Sequence, residues 1–365
     1  MNVTETVQGR GRATGMESQM KRVSVVIPVR NEELHLHKCL SSLLNQTYPR
    51  TDYEVIVVDG RSSDRTREIV DEFRRDCSNL SLLDNPAGIA PTAMNIGIRN
   101  ATGDVIVRAD GHNLYPADYI ENCVSYLDQT GADNVGGPWI TVAPGKSLGA
   151  RLVTAVLSNP FGVGNASYRT SEKEGFVDTV PFGAFRRELF NRVGLYNEKL
   201  VRNQDTDLNA RIRKAGGKIY LTPALSTYYH PVKNFYRLLR QTFRNNLWHL
   251  FTLRENAHSL EFRHLAPVFF VCGILLLLLL SLVSHLALLV LLTMLGVHLL
   301  TGAYFALRYG AKNRVATMSV LPFAFLAFHL VYGFGIFSGL IFLVRRPSAQ
   351  PIRPGMPIEP NRNLR

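Results

Sequence analysis

Three long apolar runs in the last third of the chain constrain its fold more than any other sequence feature. They cover residues 265–283, 286–307 and 315–344, which is 19, 22 and 30 residues without a single Asp, Glu, Lys or Arg. A helix needs about 20 predominantly apolar residues to cross the hydrocarbon core of a bilayer. We therefore expect about three transmembrane spans within residues 265–344.

The charges around these runs leave the arrangement of the spans open. With a cytoplasmic N-terminal part, three crossings place Arg308, Lys312 and Arg314 inside, as the positive-inside rule prefers. The same crossings place the basic tail, residues 345–365, outside, which the rule disfavours. Either the tail breaks the rule, or one run is re-entrant or a hairpin. The longest run is the candidate, because it contains Pro322 and three glycines.

The positive charge of the chain is concentrated beside the apolar runs. Of the net charge of +12, residues 233–264 supply +4 and residues 265–365 supply +7, which leaves about +1 for residues 1–232. Anionic lipid headgroups attract juxtamembrane basic residues. Nucleic acid would require a basic stripe on the folded domain, so it is not an expected partner. Apolar and basic residues alternate along residues 233–254, which predicts an amphipathic interfacial helix within residues 233–264.

The N-terminus does not resemble a signal peptide. Residues 1–20 are polar and lack an apolar core, so we expect them to be disordered. The four cysteines have no metal-ligand spacing and suit packing roles in a reducing compartment. These features predict a multi-pass protein of the cell membrane whose N-terminal domain is cytoplasmic.

Residues 21–232 alternate between strand and helix patterns. Short apolar strands are expected at residues 24–28, 54–59, 80–83 and 105–110, with helices between them. This alternation predicts an α/β fold with a doubly wound, mostly parallel sheet. Gly, Pro and Asn are frequent from residue 137 to 180, where we expect loops and short strands lining a cleft. A helix over residues 205–215 should end at Gly216 and Gly217.

Two of the expected strands end on a carboxylate, Asp59 and Asp110. Ligands of open α/β sheets bind at the carboxyl ends of the strands. A buried carboxylate such as Asp59 can accept a hydrogen bond from an imide N–H of a bound base, or it can satisfy the amides of the turn that follows. Asp110 is followed by His112, and a carboxylate with phosphate oxygens and waters is an acceptable octahedral Mg²⁺ site.

Four segments of the chain resemble a known enzyme family. They are VSVVIPVRNEE at 23–33, VIVVDGRSSDRT at 55–66, the strand that leads to Asp110, and NQDTDLNARIRKAG at 203–216. In this order they resemble a family 2 glycosyltransferase with a GT-A fold, over about residues 22–245. The segments VRADGHN, FGVGNASYR (161–169) and HLVYGFG (329–335) are most similar to the succinoglycan-biosynthesis type of these membrane-bound enzymes.

The resemblance implies a site for a nucleotide-sugar donor. The residues that it assigns to donor binding are Pro28, Arg30, Asn31, Glu32, Asp59, Arg108 and Asp110. In this assignment Asp59 accepts a hydrogen bond from the uracil ring of a UDP-sugar. The Arg30 guanidinium stacks on the base. Glu32 either contacts the ribose or caps its own helix.

The metal site expected from the resemblance departs from the family pattern. The family usually has two carboxylates in a D-x-D motif that bind Mg²⁺ or Mn²⁺, whereas here the first position is Arg108. Arg108 cannot bind a cation but could contact phosphate directly. Asp110 remains as the metal ligand. Three roles are open for His112: a second metal ligand, a contact to the diphosphate, or an ordinary loop histidine. As a metal ligand it would favour Mn²⁺.

Asp205 is the predicted catalytic base. The family has E-D-x-D where this chain has Gln204, Asp205, Thr206 and Asp207. Inverting transfer requires one carboxylate to remove the proton of the acceptor hydroxyl. Alternatively, Asp205 and Asp207 are acids that the helix dipole favours, and we interpret Asp207 in this way.

Gln241 and Arg244 match part of the Q-x-x-R-W signature of processive synthases, but Asn245 stands in place of the Trp. This departure favours transfer of a single sugar. Gln241 and Arg244 either close over the diphosphate or form the polar face of the interfacial helix.

The leading hypothesis is an inverting, nonprocessive hexosyltransferase of polysaccharide synthesis. It would move a hexose, glucose by analogy with the subgroup, from a UDP-sugar to a lipid-linked (polyprenyl) saccharide, alongside other polysaccharide-assembly proteins. Two alternatives remain: a polyprenyl-phosphate sugar synthase, and an inactive membrane-anchored assembly partner.

Overall fold

The computed structural model describes residues 20–164, 166–170, 173–256, 262–313 and 319–345. Of the N-terminus predicted to be disordered (1–20) and the predicted basic tail (345–365), all but Met20 and Arg345 lie outside these residues. The strands are β1 Val23–Val29, β2 Tyr53–Asp59, β3 Leu80–Asp84, β4 Val105–Arg108, β5 Asn134–Gly136, β6 Trp139–Thr141, β7 Gly175–Phe176, β8 Ala184–Arg186, β9 Ile219–Leu221 and β10 Thr227–Tyr229.

Helices alternate with the strands as far as β5, helices and strands are then grouped up to β10, and only helices follow in the described chain. The helices are α1 Leu36–Leu44, α2 Thr66–Arg74, α3 Ala90–Asn100, α4 Tyr119–Thr130, α5 Leu148–Leu157, α6 Pro160–Val163, α7 Ser167–Thr170, α8 Leu189–Val193, α9 Gln204–Lys214, α10 Phe235–Glu255, α11 Phe262–Leu280, α12 His285–Asn313 and α13 Leu321–Arg345. A short 3-10 turn, Pro223–Leu225, precedes β10.

The central sheet confirms the predicted α/β fold. Its eight strands follow the order β3-β2-β1-β4-β8-β5-β9-β7. Strands β3, β2, β1 and β4 are parallel, and β8 is antiparallel to both β4 and β5. Because β2 and β4 pair with opposite edges of β1, the strand order reverses there. In open sheets this reversal creates a crevice at the carboxyl ends of the strands.

Alternating side chains of the parallel strands bury both faces of the sheet. Val25 and Ile27 pack in the cluster that includes Leu40 of α1, whereas Val26 packs in the opposite cluster with Met94 of α3. Period-2 alternation places neighbouring side chains on opposite faces, so apolar residues at consecutive positions fit a sheet covered on both sides. A Cβ at Gly97 would lie 2.2 Å from Val26 Cγ1, which shows how closely α3 approaches β1.

The expectation of loops and short strands over residues 137–180 is wrong for the stretches that form α5, α6 and α7, of which α5 is the longest. Residues 148–157 form α5, and the Ser147 hydroxyl accepts a hydrogen bond from the Ala150 N–H at its start. Its buried side chains include Leu152, Val153 and Val156, which belong to a third apolar cluster shared with α10 and α13. The surrounding Gly and Pro residues obscured this helical spacing in the sequence.

Two of the C-terminal helices are long and apolar enough to cross a membrane. These segments are His285–Lys312 of α12 and Leu321–Gly339 of α13, whereas the apolar part of α11, His264–Leu280, is shorter. Helix α13 is continuous, although its sequence made it the candidate for a break. Pro322 lies in its first turn, where the missing N–H breaks no intrahelical hydrogen bond.

The glycines of α13 are sites of close helix packing. A Cβ at Gly333 would lie 2.3 Å from the Pro267 carbonyl oxygen of α11, and one at Gly335 would lie 2.9 Å from the Phe243 carbonyl oxygen of α10. Without side chains at these positions, α13 approaches both helices at their backbones. The described part of α13 is therefore a packed element between α10 and α11.

Helix α10 differs from the predicted amphipathic pattern. Its buried face includes polar Thr242, Asn246 and Thr252, while Phe243, which the apolar pattern placed on the buried side, is exposed. The reason is that α10 packs along α13 and α5, and these contacts decide which side is buried. Its position in a membrane interface stays a prediction.

Candidate functional site

A first cavity of about 880 Å³ opens at the carboxyl ends of β1 and β4. Its wall includes six of the seven residues predicted to bind the donor, together with His112. Those six are Pro28, Arg30, Asn31, Glu32, Arg108 and Asp110. The crevice at the strand-order reversal is therefore lined by the residues that the sequence singled out.

The loop after β1 is fixed to the loop after β2 by hydrogen bonds. Asn31 adopts a left-handed conformation with φ 57°, which asparagine tolerates better than most residues. Its N–H donates to Ser62 Oγ at 2.9 Å, and its Oδ1 accepts from the Ser63 N–H at 2.8 Å. The Glu32 N–H donates to Thr66 Oγ1 at 2.8 Å. These contacts hold one wall of the first cavity in place.

Arg30 reaches across the mouth of the first cavity. Its Nη1 donates to the Gly88 carbonyl at 3.0 Å. Gly88 has φ +67°, and a Cβ there would lie 2.9 Å from the same nitrogen. A glycine is therefore favoured at this position both by its backbone angle and by the space that the guanidinium occupies.

Asp59 does not line the first cavity. Its side chain is completely buried, and its carboxylate accepts hydrogen bonds from the Ser62 N–H at 3.2 Å and from Arg67 Nη1 at 3.0 Å. Arg67 also bonds Asp84. The carboxylate thus satisfies a turn amide, which is the alternative that the sequence left open. The predicted contact between Asp59 and a base stays a prediction.

Arg108 pairs with two carboxylates, those of Asp205 and Asp110. Its Nη1 donates to Asp205 Oδ1, and its Nη2 lies 3.5 Å from Asp110 Oδ1. The rings of Phe182 and Tyr196 lie 5.3 and 5.9 Å from its guanidinium carbon. Burial acts to lower the pKa of Arg108, but the two carboxylates outweigh it and raise the pKa. The guanidinium therefore stays charged although its side chain is only 5% exposed.

The Asp205 carboxylate is partly buried and has one strong partner, Arg108. Burial raises its pKa above the ordinary value, Arg108 opposes that rise, and the charge of Asp110 adds to it. A higher pKa makes a carboxylate a stronger proton acceptor. Asp205 thus has the properties of a general base, provided that it is ionised.

His112 pairs with Glu32 across the first cavity. Its Nδ1 lies 3.2 Å from Glu32 Oε1. Burial alone would lower the pKa of His112, but the hydrogen bond to Glu32 and the charge of Asp110 raise it to about 9. A doubly protonated ring has no lone pair for a metal. In this arrangement His112 suits a contact to an anion, and its predicted role as a second metal ligand stays a prediction.

Asp110 remains the residue that could hold a divalent cation. Within the described ranges, no group of three or more His, Cys, Asp or Glu side chains is arranged around a metal position. The Asp110 side chain is 18% exposed and lines the first cavity. Mg²⁺ is commonly bound through one or two carboxylates together with substrate phosphates. The residues present therefore fit a cation that arrives with a diphosphate, rather than a site built by the protein alone.

A second cavity of about 760 Å³ lies between the sheet domain and the C-terminal helices. Asp205 lines it, and so do Pro267, Phe270 and Phe328 from α11 and α13. Gln241 lines both cavities, as does Arg202, so the cavities meet at these two side chains. Arg244, predicted beside Gln241, is exposed and lies outside both linings.

The two acids of α9 have different surroundings. Asp205 faces the second cavity, whereas Asp207 is buried and its Oδ2 lies 2.9 Å from Arg211 Nη2. The Asn256 side-chain amide donates to Asp207 Oδ1 at 3.1 Å. Asp207 therefore links α9 to the end of α10, and its environment is that of a structural acid.

Sequence reasoning missed several residues of the second cavity. Arg202, Trp139 and Tyr229 line it, and none stood out in a motif. The segment 161–169 did carry a signal, because it resembled the succinoglycan-type subgroup, and seven of its described residues line this cavity. That signal gave no role to any single residue of the segment.

Known proteins resemble this chain in sequence and in fold. The family model for glycosyl transferase family 2 matches residues 24–194. The succinoglycan biosynthesis protein ExoA of Rhizobium meliloti is 32% identical over 221 residues, covering 60% of this chain and 66% of that protein.

A relative from Methanococcus voltae matches over more of the chain. It is 25% identical over 331 residues, covering 88% of this chain and 98% of its own. Its name is dolichyl N-acetyl-alpha-D-glucosaminyl phosphate 3-beta-D-2,3-diacetamido-2,3-dideoxy-beta-D-glucuronosyltransferase.

The fold also has a counterpart among solved structures. The mannosyltransferase PcManGT from Pyrobaculum calidifontis, solved with GDP-Man and Mn²⁺, superposes with a TM-score of 0.58 at 21% identity. The match covers 87% of this chain and 88% of that one. The chain belongs to glycosyl transferase family 2, because its ordered motifs, its mostly parallel sheet and these sequence similarities agree.

Proposed function

We propose that this protein is a membrane-bound, inverting and nonprocessive glycosyltransferase that moves a hexose from a UDP-sugar to a lipid-linked saccharide. The donor occupies the first cavity and the acceptor enters through the second. Glucose is our proposal for the hexose, by analogy with the succinoglycan-biosynthesis type of these enzymes, of which this chain has a 32% identical relative. The product would serve cell-surface or extracellular polysaccharide synthesis.

The observation that carries this proposal is the ion pair between Arg108 and Asp205. Arg108 lines the first cavity and Asp205 lines the second, so their contact lies where the two cavities approach each other. A transferase must bring two substrates together at one carboxylate while keeping their binding regions apart. These two cavities have that arrangement.

The chemistry follows from the positions of these groups. Asp205 takes the proton of the acceptor hydroxyl as that oxygen bonds to the anomeric carbon, and the bond from this carbon to the diphosphate oxygen breaks. Attack from the side opposite the leaving group inverts the anomeric configuration, and no covalent enzyme intermediate is needed. Once Asp205 is protonated, Arg108 loses a counter-ion while the departing diphosphate gains negative charge. The Arg108 guanidinium then stabilises the leaving group.

A divalent cation fits beside this pair. Asp110 would hold Mg²⁺ or Mn²⁺ together with the diphosphate, and the cation would neutralise charge on the leaving group. The solved neighbour that contains Mn²⁺ and GDP-Man supports a metal-bound nucleotide sugar by analogy of fold.

A lipid-linked acceptor fits the second cavity. Its wall combines Asp205 with apolar side chains of α11 and α13, so an acceptor with a saccharide head and an apolar chain can lie along it. The name of the Methanococcus relative describes transfer to a dolichyl-linked sugar phosphate, which supports this class of acceptor. We place the sheet domain on the cytoplasmic side of a multi-pass membrane protein.

The test is transfer of a labelled hexose from UDP-hexoses into the lipid extract of membranes that contain the full chain. Asp205→Asn should lower the rate per folded protein by about 10²- to 10⁴-fold, because the substituted amide cannot accept the proton. Asp207→Asn is the matched control on the same helix. It should keep turnover within a few-fold while lowering stability, since Asp207 bonds Arg211 and Asn256.

Three results would contradict the proposal. Transfer that survives Asp205→Asn removes the assigned base. A sugar phosphate, in place of a glycosidic bond, in the mass spectrum of the lipid product indicates a polyprenyl-phosphate sugar synthase. Retention of the donor's anomeric configuration in the product excludes the single-displacement chemistry.

A further inference from the structure

The described residues of the segment 161–169 contribute to the wall of the second cavity, between the C-terminal helices and the sheet domain. At one end Phe161 stacks on Phe305 with ring centroids 5.4 Å apart and meets Phe325 edge-on at 5.2 Å. At the other end the Arg169 guanidinium lies over the rings of Trp139 and Tyr229. The transfer chemistry assigned above uses none of these side chains.

Arg169 is held by aromatic rings and not by an acid. Its guanidinium carbon lies 4.7 Å from the Trp139 ring centroid and 4.9 Å from that of Tyr229. The two rings stack on each other at 4.7 Å with an angle of 8° between their planes. Cation–π contacts of this kind orient a guanidinium while leaving its N–H groups available.

Two hydrogen-bond donors in this cluster have no acceptor among the described residues. They are Arg169 Nη1 and Trp139 Nε1, and both atoms are buried. No carboxylate of the described chain lies within 4 Å of the Arg169 guanidinium. A buried donor without a partner costs about 1–3 kcal/mol, and more if it is charged, so an acceptor supplied by a ligand would be stabilised here.

The charge of the second cavity also favours an anion. Its wall carries two arginines, Arg169 and Arg202, against a single acid, Asp205. Asp205 is already paired with Arg108, while Arg202 donates to Asn245 Oδ1 at 2.5 Å, a neutral partner. The wall therefore has more positive charge than its own acids neutralise.

We propose that Arg169 and the Trp139 indole N–H bind the phosphate that joins the acceptor saccharide to its lipid. This inference rests on the proposed function and names the acceptor's anionic group. The phosphate oxygens accept from both donors, with the guanidinium plane fixed by Trp139 and Tyr229. The lipid chain extends toward Phe161 and the apolar wall of α11 and α13. The same donors could also hold free phosphate, and the test separates these sources.

Binding can be measured without any sugar transfer, on the full chain in detergent micelles. The chain contains two tryptophans, so Trp248→Phe leaves Trp139 as the only tryptophan, whose emission can be excited separately from that of the tyrosines. Farnesyl phosphate, farnesol and inorganic phosphate are titrated separately while Trp139 emission is recorded. We expect saturable binding of farnesyl phosphate at least tenfold tighter than that of farnesol. Inorganic phosphate should displace farnesyl phosphate only at far higher concentration.

Arg169→Gln should weaken farnesyl phosphate binding about tenfold or more and leave farnesol binding unchanged. Arg169→Lys keeps the charge but lacks the planar fork, so its affinity for farnesyl phosphate should lie between those of the unsubstituted chain and Arg169→Gln. This second variant keeps the test valid if Arg169→Gln fails to fold. Arg151→Gln is the matched control, since Arg151 is an exposed arginine of α5 outside both cavities.

Three results would overturn the inference. They are equal affinity for farnesol and farnesyl phosphate, unchanged binding in Arg169→Gln, and inorganic phosphate binding as tightly as farnesyl phosphate. If farnesyl phosphate binds as expected but no hexose transfer is found, the proposed function fails while the phosphate site stands.

Discussion

At the scale of single residues, Arg108 decides how this site differs from a two-carboxylate metal site. It occupies the position of the first acid of a D-x-D motif and pairs with both Asp205 and Asp110. A buried guanidinium between two carboxylates lowers their mutual repulsion and fixes their separation. The positive charge of Arg108 also weakens the attraction of these carboxylates for a metal ion. A metal at Asp110 should therefore bind loosely until a diphosphate adds its oxygens.

This argument predicts a metal requirement that is easy to reverse. EDTA should abolish hexose transfer by the purified protein, and added Mn²⁺ or Mg²⁺ should restore it. Asp110→Asn should raise the metal concentration needed for half-maximal rate, because it removes the carboxylate assigned to the cation. Transfer rates that are unaffected in EDTA would refute the role of Asp110 as a metal ligand.

At the scale of elements, the packing of α13 depends on two glycines, Gly333 and Gly335, which have no side chain. Gly333 approaches the backbone of α11 and Gly335 approaches that of α10. Small residues permit such close helix contacts in membrane proteins. These contacts tie the apolar helices to α10 and, through it, to the residues at which the two cavities meet.

Gly333→Ala should therefore destabilise the protein. The new Cβ would lie 2.3 Å from the Pro267 carbonyl oxygen, so α11 must shift, at a cost of about 1–3 kcal/mol. The measurement is the midpoint of thermal unfolding in detergent. Gly296→Ala in α12 is the matched control: among the described residues, no atom other than the nearby backbone of its own helix lies within 4 Å of its added Cβ. Equal midpoints for the two variants would contradict the close packing.

Local patterns in the sequence predicted some elements and missed others for physical reasons. Strands β1 and β2 and helix α9 follow from their own residues, since apolar runs and helix-end signals act over a few positions. The pairing of Asp59 with Arg67 and the exposed ring of Phe243 depend on which elements pack together. The cluster of Arg169 with Trp139 and Tyr229 joins three segments far apart in the chain, and no local pattern contains it.

At the scale of the whole molecule, a sheet domain and a bundle of apolar helices share one cavity. The association with a membrane that this architecture suggests rests on α12 and α13, which are long enough to cross a bilayer, and on relatives of polysaccharide synthesis. The orientation and the crossing by α11 are proposals. The basic residues Arg308 and Lys312 at the end of α12 favour the side that also holds the sheet domain.

Cysteine labelling can test this orientation. Three of the native cysteines are buried and Cys272 lies partly buried in α11, so they should react slowly with a membrane-impermeant maleimide. Lys146→Cys, at an exposed site of the sheet domain, should be labelled only after the cells are lysed. Val283→Cys, 85% exposed between α11 and α12, should be labelled in intact cells. Labelling of Lys146→Cys in intact cells would reverse the orientation, and protection of Val283→Cys would mean that α11 does not cross.

The position of Gln241 has a geometric consequence. It belongs to α10, which is held against α13 by a backbone contact at Gly335, and it lines both cavities. The point at which the two cavities meet is thus attached to the apolar helices through α10. In a bilayer, glycosidic bond formation would then occur at one fixed height above the lipid surface, and only acceptors whose reactive hydroxyl reaches that height would be extended.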